Sequence, residues 1–152
     1  MWVELGLQTI HERTARYIRR GYDLPVFETA VSELRRRGID VIVHTILCLP
    51  GETKPDILQT IQYLNRQDIQ GIKLQLLHIL KGTDLAEIYA SDPFPVPDPQ
   101  EYYELLGACI SHLRPDIVIH RLTGDGPKEL LTAPLWTCNK RQVLNQLQSY
   151  FK

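Results

Sequence analysis

The chain has 152 residues, of which 43% are hydrophobic and 23% charged. That is an ordinary globular mix, long enough for one core, and it excludes a disordered tail or a collagen-like repeat. Seventeen Lys and Arg stand against eighteen Asp and Glu, a net charge of −1, so no global basic field points to a nucleic-acid partner. No apolar run approaches the roughly 18–20 residues of a membrane helix, so no membrane partner is expected. The N-terminus, MWVELGLQT, shows no basic leader or cleavage pattern, and the expectation is no export signal and a cytoplasmic home. Cys48, Cys109 and Cys138 are odd in number and widely spaced. With no CxxC pair they suggest small core residues rather than a disulfide framework or a zinc site.

Trp2 to Gln8 alternates Val3, Leu5 and Leu7 against Glu4, Gly6 and Gln8, which is strand periodicity. A chain that opens in mid-strand is expected to begin inside a longer protein. HERTARYIRR follows as a short helix closed by Gly21. The next helix starts at Asp23 and Pro25 and ends at Gly38, with Val26, Ala30 and Leu34 on one stripe and Phe27 and Val31 beside it. Ile39 to Pro50 is a nearly continuous apolar run rich in β-branched residues, as in a parallel strand buried on both faces. Thr53 and Asp56 form a capping-box pattern at the start of a helix carrying Ile57, Leu58, Ile61 and Leu64.

The alternation then repeats. Ile72 to Leu80 reads as a third strand, followed by a turn and a short helix in KGTDLAEIYASD. SDPFPVPDP is a rigid surface connection, and Asp98, Pro99 and Glu101 start the helix of Tyr102, Leu106, Ile110 and Leu113. Asp116 to Leu122 is a fourth strand, leading into the glycine-rich TGDGP. A last helix from about Asn139 uses Val143, Leu144 and Leu147. Such βαβ units predict an α/β fold with a mainly parallel sheet, either doubly wound or part of a (βα) barrel. The absence of GxGxxG after the first strand weakens the dinucleotide-binding version. Four strands with covering helices make half of a TIM-type barrel.

In such folds the reactive face lies at the carboxyl ends of the strands. Those ends offer Glu4 and Gln8; His44, with Ile46 and Cys48 on the same side; Gln75 or His78; and His120 or Arg121, then Thr123, Gly124, Asp125 and Gly126. Taken singly, most of these have a bland explanation. His44 in an apolar strand is more often a hydrogen-bonded core histidine than a ligand, and the arginine sets at 13–20 and 35–37 look like solvated helix faces. Gln8 differs. Gly6 and Thr9 around it are small, and its amide both donates and accepts, as vicinal sugar hydroxyls require.

The run ELGLQT, then Arg20 within YIRRG, then ILCLPGET, LLHILKGTDLA and RLTGDGPKELLTAPLW together resemble the second half of a radical S-adenosylmethionine enzyme. The similar branch is that of oxygen-independent coproporphyrinogen oxidases and the Elongator catalytic subunit, in particular the YhcC-like group. The resemblance covers the whole chain. It implies a partial barrel holding S-adenosylmethionine on a [4Fe–4S] cluster, whose reductive cleavage gives a 5′-deoxyadenosyl radical. It also implies Gln8 at the ribose hydroxyls and Arg20 at the methionine carboxylate. His44 would be a further ribose contact, where relatives often have a carboxylate, Ile46 would lie on the adenine face, and Leu80 backbone at the adenine edge. Three clustered cysteines for the iron are missing, so this chain is expected to be the cofactor-binding half only and silent alone. Its partner would be a missing N-terminal half, and the Trp2–Gln8 edge would promote self-association.

Two other functions fit the residues. In an aldolase- or hydrolase-type barrel fragment, Glu4 and His44 would be acid–base groups and Arg20 a phosphate clamp. In an RNA-interaction module, residues 11–37, with seven arginines and a net charge of +3, would form the contact surface. These arginines lie at helix-surface spacing, which favours a solvated face.

Overall fold

A computed structural model describes residues 1–124 and 126–152. Asp125, one of the strand-end candidates, lies outside the described residues. Four strands, β1 (Trp2–Gln8), β2 (Asp40–Leu47), β3 (Gly71–Leu76) and β5 (Val118–Arg121), form one parallel sheet in the order β1-β2-β3-β5. Helices α1 (Glu12–Tyr17), α2 (Leu24–Arg36), α3 (Lys54–Leu64), α4 (Asp84–Ser91), α5 (Pro99–His112) and α6 (Lys140–Tyr150) complete the chain. The α/β half-barrel architecture expected from the sequence is present.

The two faces of the sheet differ in kind. Leu7, Val41, Val43, Leu47, Ile72 and Leu74 project from one face into the core and are almost completely buried. Against them pack Phe27 and Val31 of α2, Ile57, Ile61 and Leu64 of α3, and Tyr102, Leu106 and Cys109 of α5. Burial of this apolar area, at about 25 cal/mol per Å², is what holds helices to sheet. The opposite face carries Glu4, His44, Lys73 and Gln75. It also carries His120, whose ring lies where a Cβ on Gly71 would stand, 2.7 Å away.

Helix starts follow the sequence closely. Thr53 with Asp56, and Asp98 with Glu101, both form complete capping boxes, which satisfy two otherwise unpaired N–H groups each. Gly38, at φ +71°, follows α2 in a left-handed conformation open to glycine at little cost.

Four expectations are corrected. The strand expected over 72–80 is broken after Leu76; Ile79–Leu80 forms β4, which pairs antiparallel with β6 (Leu131–Ala133) in a separate two-stranded sheet. Ile79 is buried in either arrangement, so apolar periodicity cannot register the change of partner. The buried stripe of α2 runs through Phe27 and Val31, whereas Val26 is 54% exposed. The first helix stops at Tyr17, and Arg19 takes φ +58°. Cys48 turns off β2 at φ +65° instead of sharing a face with His44 and Ile46.

Candidate functional site

β1 ends in a distortion. Its pairing with β2 slips between Gly6 and Gln8, and Gln8 adopts φ +60°. A left-handed conformation costs a non-glycine residue roughly 1–2 kcal/mol, so something must hold it. Arg20 does so from beneath. Its Nη1 donates to the carbonyls of Leu7 and Thr9 at 3.2 and 2.8 Å, bracketing Gln8. Nε donates to the Tyr22 carbonyl at 2.8 Å, and Nη2 to Glu12 at 3.1 Å. The Arg20 side chain is 1% exposed. Thr9 adds a second tether, its hydroxyl donating to the carboxylate of Glu52 in the LPGET turn. Burial pushes the Glu52 carboxyl up, partly offset by that hydrogen bond.

The distortion folds the Gln8 side chain back over the strand. A Cβ on Gly6 would lie 2.5 Å from Gln8 Nε2, so only glycine leaves room for the amide there. Oε1 of Gln8 is buried and has no hydrogen-bond partner among the described residues. A buried acceptor without a partner costs about 1–3 kcal/mol, a deficit that a ligand hydroxyl would remove.

Gln8 opens onto a cavity of about 690 Å³ at the carboxyl ends of the strands. Ile46 and Leu77 supply its apolar wall, Arg20 and Tyr22 lie on its α1 side, and Ile88 of α4 faces them. An exposed Arg19–Asp84 ion pair at 2.7 Å links α4 to the segment after α1. The sequence-based candidates Gln8, Arg20 and Ile46 therefore meet at one hollow. His44 and Leu80 are not among its lining residues: His44 sits lower on β2, and Leu80 belongs to the second sheet.

His44 has its own partner. Its Nε2 lies 2.7 Å from Glu4, and Lys73 Nζ donates to both Glu4 oxygens at 2.8 and 2.9 Å. The Lys73 and His44 hydrogen bonds lower the Glu4 carboxyl from 4.5 to about 2. Lys73 belongs to no motif or periodicity in the sequence, because a lone lysine inside a strand carries no spacing signal. The arginines at the end of α2 and just after it are paired too: Arg35 with Asp40 and Asp68, and Arg36 and Arg37 with Glu33.

The cavity fits the nucleoside end of the expected cofactor: a dual-capacity amide with an open acceptor, beside an aliphatic wall. Arg20 fits less fully. Four of the five N–H donors of its guanidinium are used internally, so one remains for a ligand carboxylate and no fork is left for a phosphate. Nothing among the described residues fits a cluster. Among the described residues no three His, Cys, Asp or Glu converge on a metal-holding position. Burial pushes the Cys48 and Cys109 thiols up to about 12, opposite to what a ligating thiolate needs. No helix among the described residues is long and apolar enough to cross a membrane.

Comparison with known proteins assigns this architecture. Residues 69–152 match the Radical_SAM C-terminal domain, and residues 1–64 match the Radical SAM superfamily. Uncharacterized protein YtqA of Bacillus subtilis is 40% identical over 97% of this chain and 46% of its own length. Protein YhcC of Escherichia coli is 34% identical over 99% of this chain and 48% of its own. The chain thus spans about half the length of these curated relatives. The structure of the archaeal Methanocaldococcus infernus Elp3 with an N-terminal deletion shares the fold, with a TM-score of 0.81 at 18% identity over 98% of this chain and 36% of that one. The chain belongs to the radical SAM superfamily and carries its C-terminal domain.

Proposed function

We propose that this chain supplies the nucleoside-binding half of a radical S-adenosylmethionine active site. The observation that carries this is the Gln8 side-chain amide, folded over Gly6 at the wall of a cavity at the strand ends with its Oε1 unpartnered among the described residues, in a chain of this superfamily. In this reading Gln8 exchanges hydrogen bonds with the ribose hydroxyls, Ile46 lies against adenine, and Arg20 gives its one remaining N–H to the methionine carboxylate while holding Gln8 in place. Leu80 backbone and His44 act from the margin, His44 through its bond to Glu4. When bound, S-adenosylmethionine supplies hydrogen-atom abstraction from a substrate, and this chain's residues orient it and keep water from its adenine face.

The [4Fe–4S] cluster belongs, in the same proposal, to a partner segment that packs on the β1 edge, so the chain alone is catalytically silent. Calorimetry with S-adenosylmethionine is expected to show binding weaker than micromolar that Gln8→Ala abolishes. Sub-micromolar binding, or binding indifferent to Gln8→Ala, would overturn the assignment. Anaerobic incubation with iron and sulfide is expected to give no stoichiometric cluster. Formation of one, with its visible absorbance, would overturn the silent-chain part. Adding the N-terminal half of the Bacillus subtilis relative under the same conditions, with dithionite as the electron donor, should restore reductive cofactor cleavage.

A further inference from the structure

A second, smaller cavity of about 230 Å³ adjoins the first, sharing Ile46 and Leu77 as a common wall. Gln75, Leu76, His78, Arg121, Gly124 and Gly126 form the rest. Its shape depends on two glycines. A Cβ on Gly124 would lie 2.6 Å from His78 Nε2, and one on Gly126 would lie 2.8 Å from Nδ1. Gly124 and Gly126 therefore both lie against the imidazole, with Gly126 N–H donating to Nδ1 at 3.2 Å.

Arg121 is aimed here by an irregularity in β5. Ile119 pairs with Ile72, but the next partner of Lys73 is Arg121, so one residue is skipped and the side chain is redirected. The Tyr102 hydroxyl donates to the Leu122 carbonyl at 2.7 Å and fixes the backbone just beyond. Arg121 is half-buried, yet it makes no hydrogen bond or ion pair with a described residue, and the Gln75 side-chain amide likewise has none. Arg19, Arg20, Arg35, Arg36, Arg37 and Arg114 each pair with a carboxylate, and Arg13, Arg16, Arg66 and Arg141, which make no ion pair with a described residue, are exposed to solvent where Arg121 is not.

Among the described residues this half-buried guanidinium has no counter-charge, and its planar fork matches an oxyanion with two parallel bonds. We propose that Arg121, with Gln75, forms a subsite for a carboxylate or phosphate group of the substrate, held beside the cofactor cavity. That the anion is the substrate's rests on the function proposed above; that the site binds an anion does not. The small volume admits the anionic group itself, while the rest of the substrate extends toward Ile46 and Leu77.

The test is a titration of the ¹⁵N-labelled full chain, separately with acetate and with inorganic phosphate, at ionic strength matched with chloride. Saturable shifts are expected at Arg121 Nε–H and at the Gly124 and Gly126 amides. Arg121→Gln should weaken binding by about tenfold or more, while Arg121→Lys, which keeps the charge without the fork, should fall between. Arg36→Gln should leave binding unchanged, and superimposable spectra elsewhere confirm folding. Tighter acetate assigns a carboxylate, and tighter phosphate a phosphate ester. Shifts that do not saturate, match those of chloride, or survive Arg121→Gln would overturn the subsite. S-adenosylhomocysteine added afterwards reports on Gln8 and Ile46. If these stay unmoved while Arg121 still binds anions, the cofactor assignment fails and the subsite stands.

Discussion

Gln8 Nε2 occupies the space beside Gly6 that a side chain there would need, 2.5 Å from the position of a Gly6 Cβ. The two residues are therefore one feature: the amide can reach its place only because the strand is bare beneath it. Gly6→Ala should expel the Gln8 amide and weaken S-adenosylmethionine binding by about tenfold or more. Gln8→Gly should also abolish binding, yet stabilise the fold by about 1 kcal/mol, because glycine adopts φ +60° without strain. Thermal unfolding beside calorimetry separates the two effects.

The Glu4 cluster makes a prediction about pH. Glu4 is held at about 2 when folded against 4.5 ordinarily, so its contribution to stability is present above pH 4.5. It is lost as pH falls toward 2, since the unfolded chain takes up its proton first. Carboxyl-detected NMR should place the Glu4 midpoint near 2, and Lys73→Met should move it upward. Glu4→Gln should flatten the acid side of the stability profile between those limits.

Tyr102 is fully buried, and its hydroxyl serves the Leu122 carbonyl. Tyr102→Phe leaves that acceptor without its donor and should cost about 1–3 kcal/mol in urea unfolding. Because Leu122 follows Arg121, the same substitution should weaken anion binding at the second cavity without removing it.

Thiol reactivity should be graded by burial. Cys109 is fully buried, and its thiol and that of Cys48 are pushed up to about 12, so both are overwhelmingly protonated near neutrality. Timed iodoacetamide labelling read by mass spectrometry should modify Cys138 first and Cys109 only on unfolding.

At the edge of the main sheet, β1 has β2 on one side only, and Trp2 is 61% exposed. An edge of this kind offers unpaired backbone groups to another strand. Sedimentation at rising concentration should show self-association that Trp2→Lys reduces and that the N-terminal half of a relative displaces. A monomer at every concentration would count against the β1 edge as the partner surface.

Much of the fold was legible because it is written in short-range chemistry. The capping boxes at Thr53 and Asp98 and the apolar run through β2 each depend on residues a few positions apart. The break at Leu76 was not legible, since Ile79 is equally apolar whether it continues β3 or pairs with β6. Val26 failed for a related reason: two adjacent helical stripes were available, and only the position of the sheet decides which one faces it.

The site divides in the same way. Sequence alone determined that Gln8 stands at a strand end between small neighbours, and the family resemblance singled out Arg20, His44 and Ile46 as candidates. Tertiary structure decided their roles. It turned Arg20 inward as the clamp of a strained turn, tied His44 and Lys73 each to Glu4, and left Arg121 facing a hollow. Side-chain identity sets what a group can donate or accept, but only packing decides which donors are already spent.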